Sequence, residues 1–286
     1  MTVKTLMRTG LLLGVCLLLW PFSVDAETFG VYETWTSTFI RSDRWRGDED
    51  FGGQEVAREV NYSHKILEMR YRLGGFIVPS TTPSGSFAAS HRLNFAHPTS
   101  ITEIAATFAV SDLTLTPCAA NNAGNATRAL PMQILLGRFN DGSGNAATGD
   151  RTGDHFGGIQ AQRAGSSADL PGVLRVFGFI NRCDNANCST STTLPGVVAL
   201  GTVNVGSTSF TLQMIWDKPG NQFLFSLNGG TQHAVTYTAS DSAEAILPFA
   251  NINQRLIVAN CHVARARADT TTIVGTVLTN SSAVIP

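Results

Sequence analysis

The densest run of oxygen-bearing side chains lies between Asn140 and His155, NDGSGNAATGDRTGDH, where Asp141, Asn145, Asp150 and Asp154 stand among glycines. A hard cation such as Ca²⁺ takes several oxygen ligands from a compact loop, so these four residues are the candidate metal ligands. The opening Asp141-Gly142-Ser143-Gly144-Asn145 imitates an EF-hand loop. Ala146 and Thr152 then stand where that motif needs its turn glycine and its bidentate Glu, so the run is not an EF-hand. The same composition also makes a solvated hairpin loop, which is the plainer of the two readings. Beside it, Arg138, His155, Gln160, Gln162, Arg175 and Asn181 fall on the strands expected around the loop. Guanidinium, imidazole and amide groups at such positions would bind a sugar or serve a lyase, although ordinary outward-facing polar residues look the same.

Other chemistries find less support. Glycoside hydrolysis needs two carboxyl groups about 5 to 9 Å apart across the scissile bond. No expected strand carries acidic residues two apart. Asp48-Glu49-Asp50 has the spacing but reads as a glycine-flanked loop, and Glu68, Glu103, Asp112 and Asp217 are single acids on separate strands. GxSxG, HExxH and phosphate-binding glycine motifs are absent. His64, His91, His97, His155, His233 and His262 are scattered without ligand spacing. Arg46-Gly47-Asp48 spells an integrin tripeptide, and Asn61-Tyr62-Ser63 and Asn125-Ala126-Thr127 are glycosylation sequons, but motifs this short recur by chance. Trp35, Trp45, Phe76 and Tyr237 are aromatic candidates for stacking on sugar rings, with burial as the default for each.

The elements that must position these groups are strands. In Phe210–Gly230, FTLQMIWDKPGNQFLFSLNGG, apolar residues alternate with polar ones on both sides of Lys218-Pro219-Gly220-Asn221. Period-2 alternation around a Pro/Gly/Asn turn predicts a half-buried antiparallel hairpin, with Trp216 on its core face. Roughly a dozen such short strands separated by turns predict an all-β fold: a single β-sandwich, or jelly roll, of two antiparallel sheets. Charged residues are only 14% of the 286, against 27 glycines, which suits strands and turns better than helices.

Residues 1–26 read as a signal peptide: Lys4 and Arg8 precede an apolar Leu11–Trp20, and Val24-Asp25-Ala26 supplies small residues for cleavage near Ala26. Residues 27–286 then form one secreted domain, with a net charge of about −2 and no membrane-inserting segment. That charge gives no reason to expect nucleic acid as a partner. Four cysteines remain, an even number in an exported chain, which reads as disulfides. Cys183 and Cys188 flank the polar tip DNAN and are expected to pair locally. Cys118 and Cys261, both at strand edges, would then pair over a long range.

Three motifs resemble the concanavalin A-like lectin/glucanase jelly roll, the superfamily that includes laminin G-like domains. They are Ser42-Asp43-Arg44-Trp45 with Gly53–Val60 and His64–Arg70; Gly137–Asn140 with Gly153–Ile159; and Leu212–Leu227. With Arg182-Cys183, Cys188-Ser189-Thr190 and Val258-Ala259-Asn260-Cys261, the chain is also similar to a group of secreted bacterial proteins of that fold. The resemblance implies a jelly roll, and it raises the expectation of Ca²⁺ in a rim loop. The fold hosts lectins, hydrolases, lyases and adhesion modules. A surface carbohydrate-binding module leads, ahead of an atypical polysaccharide hydrolase or lyase and of a structural or adhesive protein.

Overall fold

The computed structural model describes residues 28–33, 35, 40, 42–51, 54–61, 66–74, 86–116, 128–165, 167–206, 209–259 and 263–277. The signal-peptide expectation for 1–26, Phe76, Cys118, Cys261 and the Asn125 sequon lie outside them. Among the described residues no helix is long and apolar enough to cross a membrane.

Sixteen strands follow one another in these residues. They are β1 (Thr28–Glu33), β2 (Trp45–Phe51), β3 (Gln54–Asn61), β4 (Ile66–Gly74), β5 (Ser86–Phe95), β6 (Ile101–Thr116), β7 (Arg128–Asn140) and β8 (Asp154–Ala164). Then come β9 (Val173–Cys183), β10 (Ser191–Thr193), β11 (Val198–Asn204), β12 (Phe210–Asp217), β13 (Gln222–Leu227), β14 (His233–Thr236), β15 (Ala243–Ala259) and β16 (Val263–Val277). One antiparallel sheet runs β14-β13-β12-β6-β16-β4-β3, with β1 also on β16. The other runs β10-β9-β8-β7-β15-β5-β2, with β11 also on β9. The expected all-β sandwich of two antiparallel sheets is what the chain forms.

The core is the residue set that alternation turns inward. Phe108, Phe210, Leu212, Met214, Phe223 and Phe225 come from the first sheet, and Ile134, Leu136, Ile159, Val176, Ile180 and Ile252 from the second; all are buried. Each such side chain contributes about 1.5–3 kcal/mol by leaving water. The hairpin read from Phe210–Gly230 is β12 and β13, in register from Leu212 opposite Leu227 to Asp217 opposite Gln222. Its turns place Asn221 (φ 49°) and Asn228 (φ 55°) in the left-handed region, which Asn tolerates better than most residues. The Asp217 carboxylate accepts from the Gly220 amide at 3.2 Å and from Gln222 Nε2 at 2.6 Å, so it pins the turn.

Trp216 is only partly buried. Its ring lies under the Arg138 guanidinium at 4.6 Å and near Lys218 Nζ at 5.6 Å, and its Nε1 donates to the Tyr237 hydroxyl at 3.0 Å. Trp35 and Trp45 are buried instead, with ring centroids 5.4 Å apart. Beneath them the buried Glu33 carboxylate accepts from the Trp35 amide at 2.9 Å and from Trp45 Nε1 at 3.3 Å. With Tyr237 also buried, these three aromatics hold the interior and offer no face to a sugar.

Two segments differ from the sequence expectation. Asp48-Glu49-Asp50, read as a loop, lies within β2 and pairs with β5. Residues 243–255, which show no run of alternating apolar residues, belong to the 17-residue β15, because Ala250 and Ile252 face the core while Asn251 and Asn253 alternate with them. A face of amides hides the period that an apolar count looks for.

Sheet separation sets a tight limit on β8 and β9. A Cβ on Gly157 would strike the Phe223 ring, and one on Gly178 the Phe225 ring. Gly157→Ala or Gly178→Ala is therefore expected to cost about 1–3 kcal/mol through overpacking, read as a lower denaturation midpoint with an unchanged m-value. The β6–β16 ladder reaches Thr116 opposite Val263, each two positions short of a cysteine. Peptide mapping without reductant is expected to recover a Cys118–Cys261 cross-link.

Candidate functional site

The outer face of the second sheet is a groove of about 980 Å³. Its side chains are those that alternate with the core, and the strand registers align them in rows. Arg92, Asn253, Gln133, Gln160 and Phe177 stand side by side across β5, β15, β7, β8 and β9. Asn94, Asn251, Leu135, Gly158 and Phe179 form the next row. Phe249, Gly137, Phe156, Asn181 and Thr193 form a third.

The first row is wired by its amides. Asn253 Nδ2 donates to Gln133 Oε1 at 3.1 Å, Gln133 Nε2 to Gln160 Oε1 at 2.7 Å, and Gln160 Nε2 to Gln162 Oε1 at 2.8 Å. A head-to-tail chain fixes every amide orientation along it. Asn251 and Asn253 are 3% and 1% exposed, and their Oδ1 atoms have no hydrogen-bond partner; the Asn181 Oδ1 has none either. A buried acceptor left so costs about 1–3 kcal/mol.

Aromatic rings floor the rest. The Phe179 ring lies on Gly158 and the Phe249 ring on Gly137, where a Cβ would collide with each. Phe156 and Phe249 have centroids 5.6 Å apart. Cys183 and Cys188 are bridged as expected, with Cα atoms 4.8 Å apart, and the bridge packs against Phe156 and Phe179. It holds the lip residues Asn187 and Ser189 at one end of the groove.

The Asn140–His155 loop borders that end. Each of its candidate ligands is engaged within the protein. Asp141 Oδ2 accepts from Arg182 Nε at 2.7 Å and Oδ1 from the Ser143 amide at 3.0 Å. Asn145 Oδ1 takes the Ala147 amide at 3.0 Å, and Asp150 Oδ1 takes the Thr152 amide and hydroxyl at 2.9 and 2.6 Å. Asp154, 2% exposed, accepts from Asn140 Nδ2 and the Ile246 amide at 2.8 Å, and from Arg151 Nε and the Leu247 amide at 3.3 Å. Partial burial pushes the Asp141 carboxyl up, but the bonds from Ser143 and Arg182 outweigh it and hold it below its usual value. The bonds from Thr152 lower Asp150 likewise. Among the described residues no three His, Cys, Asp or Glu side chains gather as a metal would need.

The six candidate ligand-binding residues divide. Gln160, Gln162 and Asn181 line the groove together. Arg138 does not: a bulge between Gly137 and Phe139 turns it toward Trp216, and its Nη1 donates to the Pro98 and Thr99 carbonyls. His155 alternates with Phe156 and so faces inward, 1% exposed, stacked on Phe139 at 4.6 Å. Arg175 is exposed beyond the groove and pairs with Asp169 at 2.6 Å, which with Ser167 lowers the Asp169 carboxyl to about 2. Gln133, Asn251, Asn253, Phe177, Phe179, Arg92 and Arg255 are among the other lining residues, and sequence reasoning missed them. The alternation of Asn251 and Asn253 with Ala250 and Ile252 was the signal available for two of them.

No family model and no curated protein matches the chain. Among solved structures it is similar to the catalytic domain of an endo-1,3-β-glucanase (laminarinase) from Thermotoga petrophila RKU-1. That match is 10% identical, covers 89% of this chain and 100% of that one, and has a TM-score of 0.49. A laminarinase from Flavobacterium sp. UMI-01 is 12% identical, with coverage of 88% and 100% and a TM-score of 0.46. A carbohydrate-binding module from Bacillus subtilis is 10% identical, with coverage of 80% and 94% and a TM-score of 0.35. At these identities and scores the matches carry no argument about family or activity.

Burial pushes the His155 imidazole below its ordinary value, and the hydrogen bond of its Nδ1 to the Gly153 carbonyl (2.9 Å) only partly opposes this. The unfolded chain therefore binds a proton more readily than the folded one. The stability due to neutral His155 is complete above about pH 6.5 and is lost as pH falls below that value. Thermal denaturation between pH 7.5 and 5.5 is expected to show a smaller fall in Tm for His155→Phe than for the unaltered chain.

Proposed function

We infer that the chain is a non-catalytic carbohydrate-binding module, secreted or displayed at the cell surface, that takes a glycan along the groove of the second sheet. The observation that carries this is the chemistry of the lining. Its described residues bring amides, hydroxyls, phenyl rings and guanidiniums to one face, with no Asp, Glu, His, Lys or Tyr among them. Hydrolysis of a glycoside needs an acid and a base or nucleophile, and lyase chemistry needs a base to take a proton. Recognition needs neither. Amides in fixed orientation donate to and accept from sugar hydroxyls, and ring faces pack against pyranose C–H surfaces. The Cys183–Cys188 bridge fits an oxidising compartment.

A glycan array followed by calorimetry tests the reading. Gln160→Ala and Asn253→Ala are expected to weaken binding about tenfold each, the worth of a good hydrogen bond, while Arg175→Ala leaves affinity unchanged. Incubation with the bound glycan should release neither reducing ends nor unsaturated products. Binding to no glycan on the array would remove the reading, and turnover would replace it with an enzyme.

A further inference from the structure

We propose that the glycan held in this groove is acetylated, its sugars carrying acetyl groups on oxygen or nitrogen; the inference rests on the carbohydrate reading above. The groove holds two chemistries side by side. Its first row is amide, with Asn253, Gln133 and Gln160 joined through to Gln162 by hydrogen bonds. One to two rows farther along the strands, about 7 to 14 Å, lies a hydrophobic cluster separate from the core between the sheets. Phe156, Phe179 and Cys183 are its buried members, and Leu135, Cys188 and Phe249 pack against them.

The margins of that cluster are open. Among the described residues three large hydrophobic side chains are exposed, and two of them, Leu247 at 55% and Val197 at 51%, line this groove. Leu247 stands two positions before Phe249 on β15. Val197 precedes Val198, the register partner of Gly178, so it comes abreast of Phe179 at the edge of β9. With β7 and β8 between β15 and β9, the two aliphatic side chains bound the cluster on opposite sides. A bare sugar hydroxyl set against either would lose water and gain no bond, which is unfavourable. A methyl group set there leaves water with a gain.

Donors stand next to this apolar surface, on the lip that the Cys183–Cys188 bridge holds. Ser189 Oγ accepts from Asn185 Nδ2 at 2.9 Å and Ser191 Oγ from Asn181 Nδ2 at 3.3 Å, so each hydroxyl keeps its own proton for an outside acceptor. Asn187 accepts the Ser189 amide on its Oδ1 at 3.0 Å, which leaves its Nδ2 to donate. All three residues line the groove. An acetyl group joins a carbonyl acceptor to a methyl in one small neutral unit. Its oxygen suits the lip and its methyl suits the cluster, while the hydroxyls of the sugar chain meet the amide row.

The test uses the full chain in affinity electrophoresis and calorimetry against matched pairs of glycans. One pair is an acetylated xylan and the same xylan after mild alkaline removal of its esters. The other is an oligomer of N-acetylglucosamine and a β-1,4-glucan oligomer of equal length. In at least one pair the acetylated member is expected to bind about tenfold more tightly, since each buried methyl is worth about fourfold. The first pair reads ester acetyl and the second amide acetyl. Leu247→Ser and Val197→Ser, both at exposed positions, should leave Tm unchanged and narrow the ratio between the members of that pair about fourfold each. Equal binding within both pairs, or tighter binding of the bare members, overturns the proposal and leaves the carbohydrate reading standing. A ratio that survives both substitutions overturns it too, by placing the methyl groups elsewhere. If neither pair binds, the glycan array decides: hits confined to acetylated glycans uphold the proposal, hits on glycans without acetyl groups overturn it alone, and an empty array overturns it together with the carbohydrate reading.

Discussion

Phenyl rings seated on glycines set the spacing of this molecule. The second sheet is one residue thick and must accept rings on both faces. On the core side Phe223 sits over Gly157 and Phe225 over Gly178; on the groove side Phe179 sits over Gly158 and Phe249 over Gly137. Gly157 and Gly158 are neighbours, and the pleat sends them to opposite faces, so adjacent positions of β8 serve the core and the groove in turn. Glycine in a strand weakens it by roughly 0.5–1 kcal/mol through backbone entropy. Rings packed close to the backbone offset that, and on the core side the missing Cβ atoms let the sheets approach until Met214 and Phe223 reach β8.

The same closeness explains why so many polar groups of β7, β8 and β15 are buried or half-buried. These are central strands, with a partner on each side, so their outward side chains stand in a crowded row instead of open water. A polar group in that position must be paired, and the chain pairs them with one another: Asn253 to Gln133 to Gln160 to Gln162. Asp154 plays the matching part at the end of the sheet. Its four donors come from the loop before β8, from Asn140 at the end of β7, and from the bulged part of β15, so one buried carboxylate fastens three segments. That role also shows why a carboxylate-rich loop need not be a cation site: its acceptors are already satisfied by the backbone they shape.

What the sequence disclosed was local. The β12–β13 hairpin, the loop before β8 and the Cys183–Cys188 bridge each depend on residues within a few positions of one another, and each was legible. Gln160 with Gln162 was legible as a pair on one face, since only the two-residue period was needed. Arg138 was not, because the bulge between Gly137 and Phe139 breaks that period by one residue and sends its side chain to another surface. Nor was His155, whose facing depends on which of two alternating sets meets the core; Phe156, the more apolar neighbour, takes the groove instead. The rows themselves could not be read at all, for they join Arg92, Gln133, Gln160 and Asn253 through registers that only long-range pairing creates.

Several groups able to move protons are engaged in the frame of the molecule. Residues that move protons, such as His155, Asp154 and Tyr237, are turned inward and spent on the frame: a stack on Phe139, a four-donor hub, and a hydroxyl donating to Asp241 at 2.7 Å. Burial and that bond to Asp241 push the Tyr237 hydroxyl above its ordinary value, so it stays a neutral donor. On the groove side the chain Asn253–Gln133–Gln160–Gln162 has its amide orientations fixed by its own hydrogen bonds. Asn251 and Asn253 each carry an unmet acceptor. An acceptor buried without a donor costs about 1–3 kcal/mol, so this face carries that cost within an otherwise paired amide network.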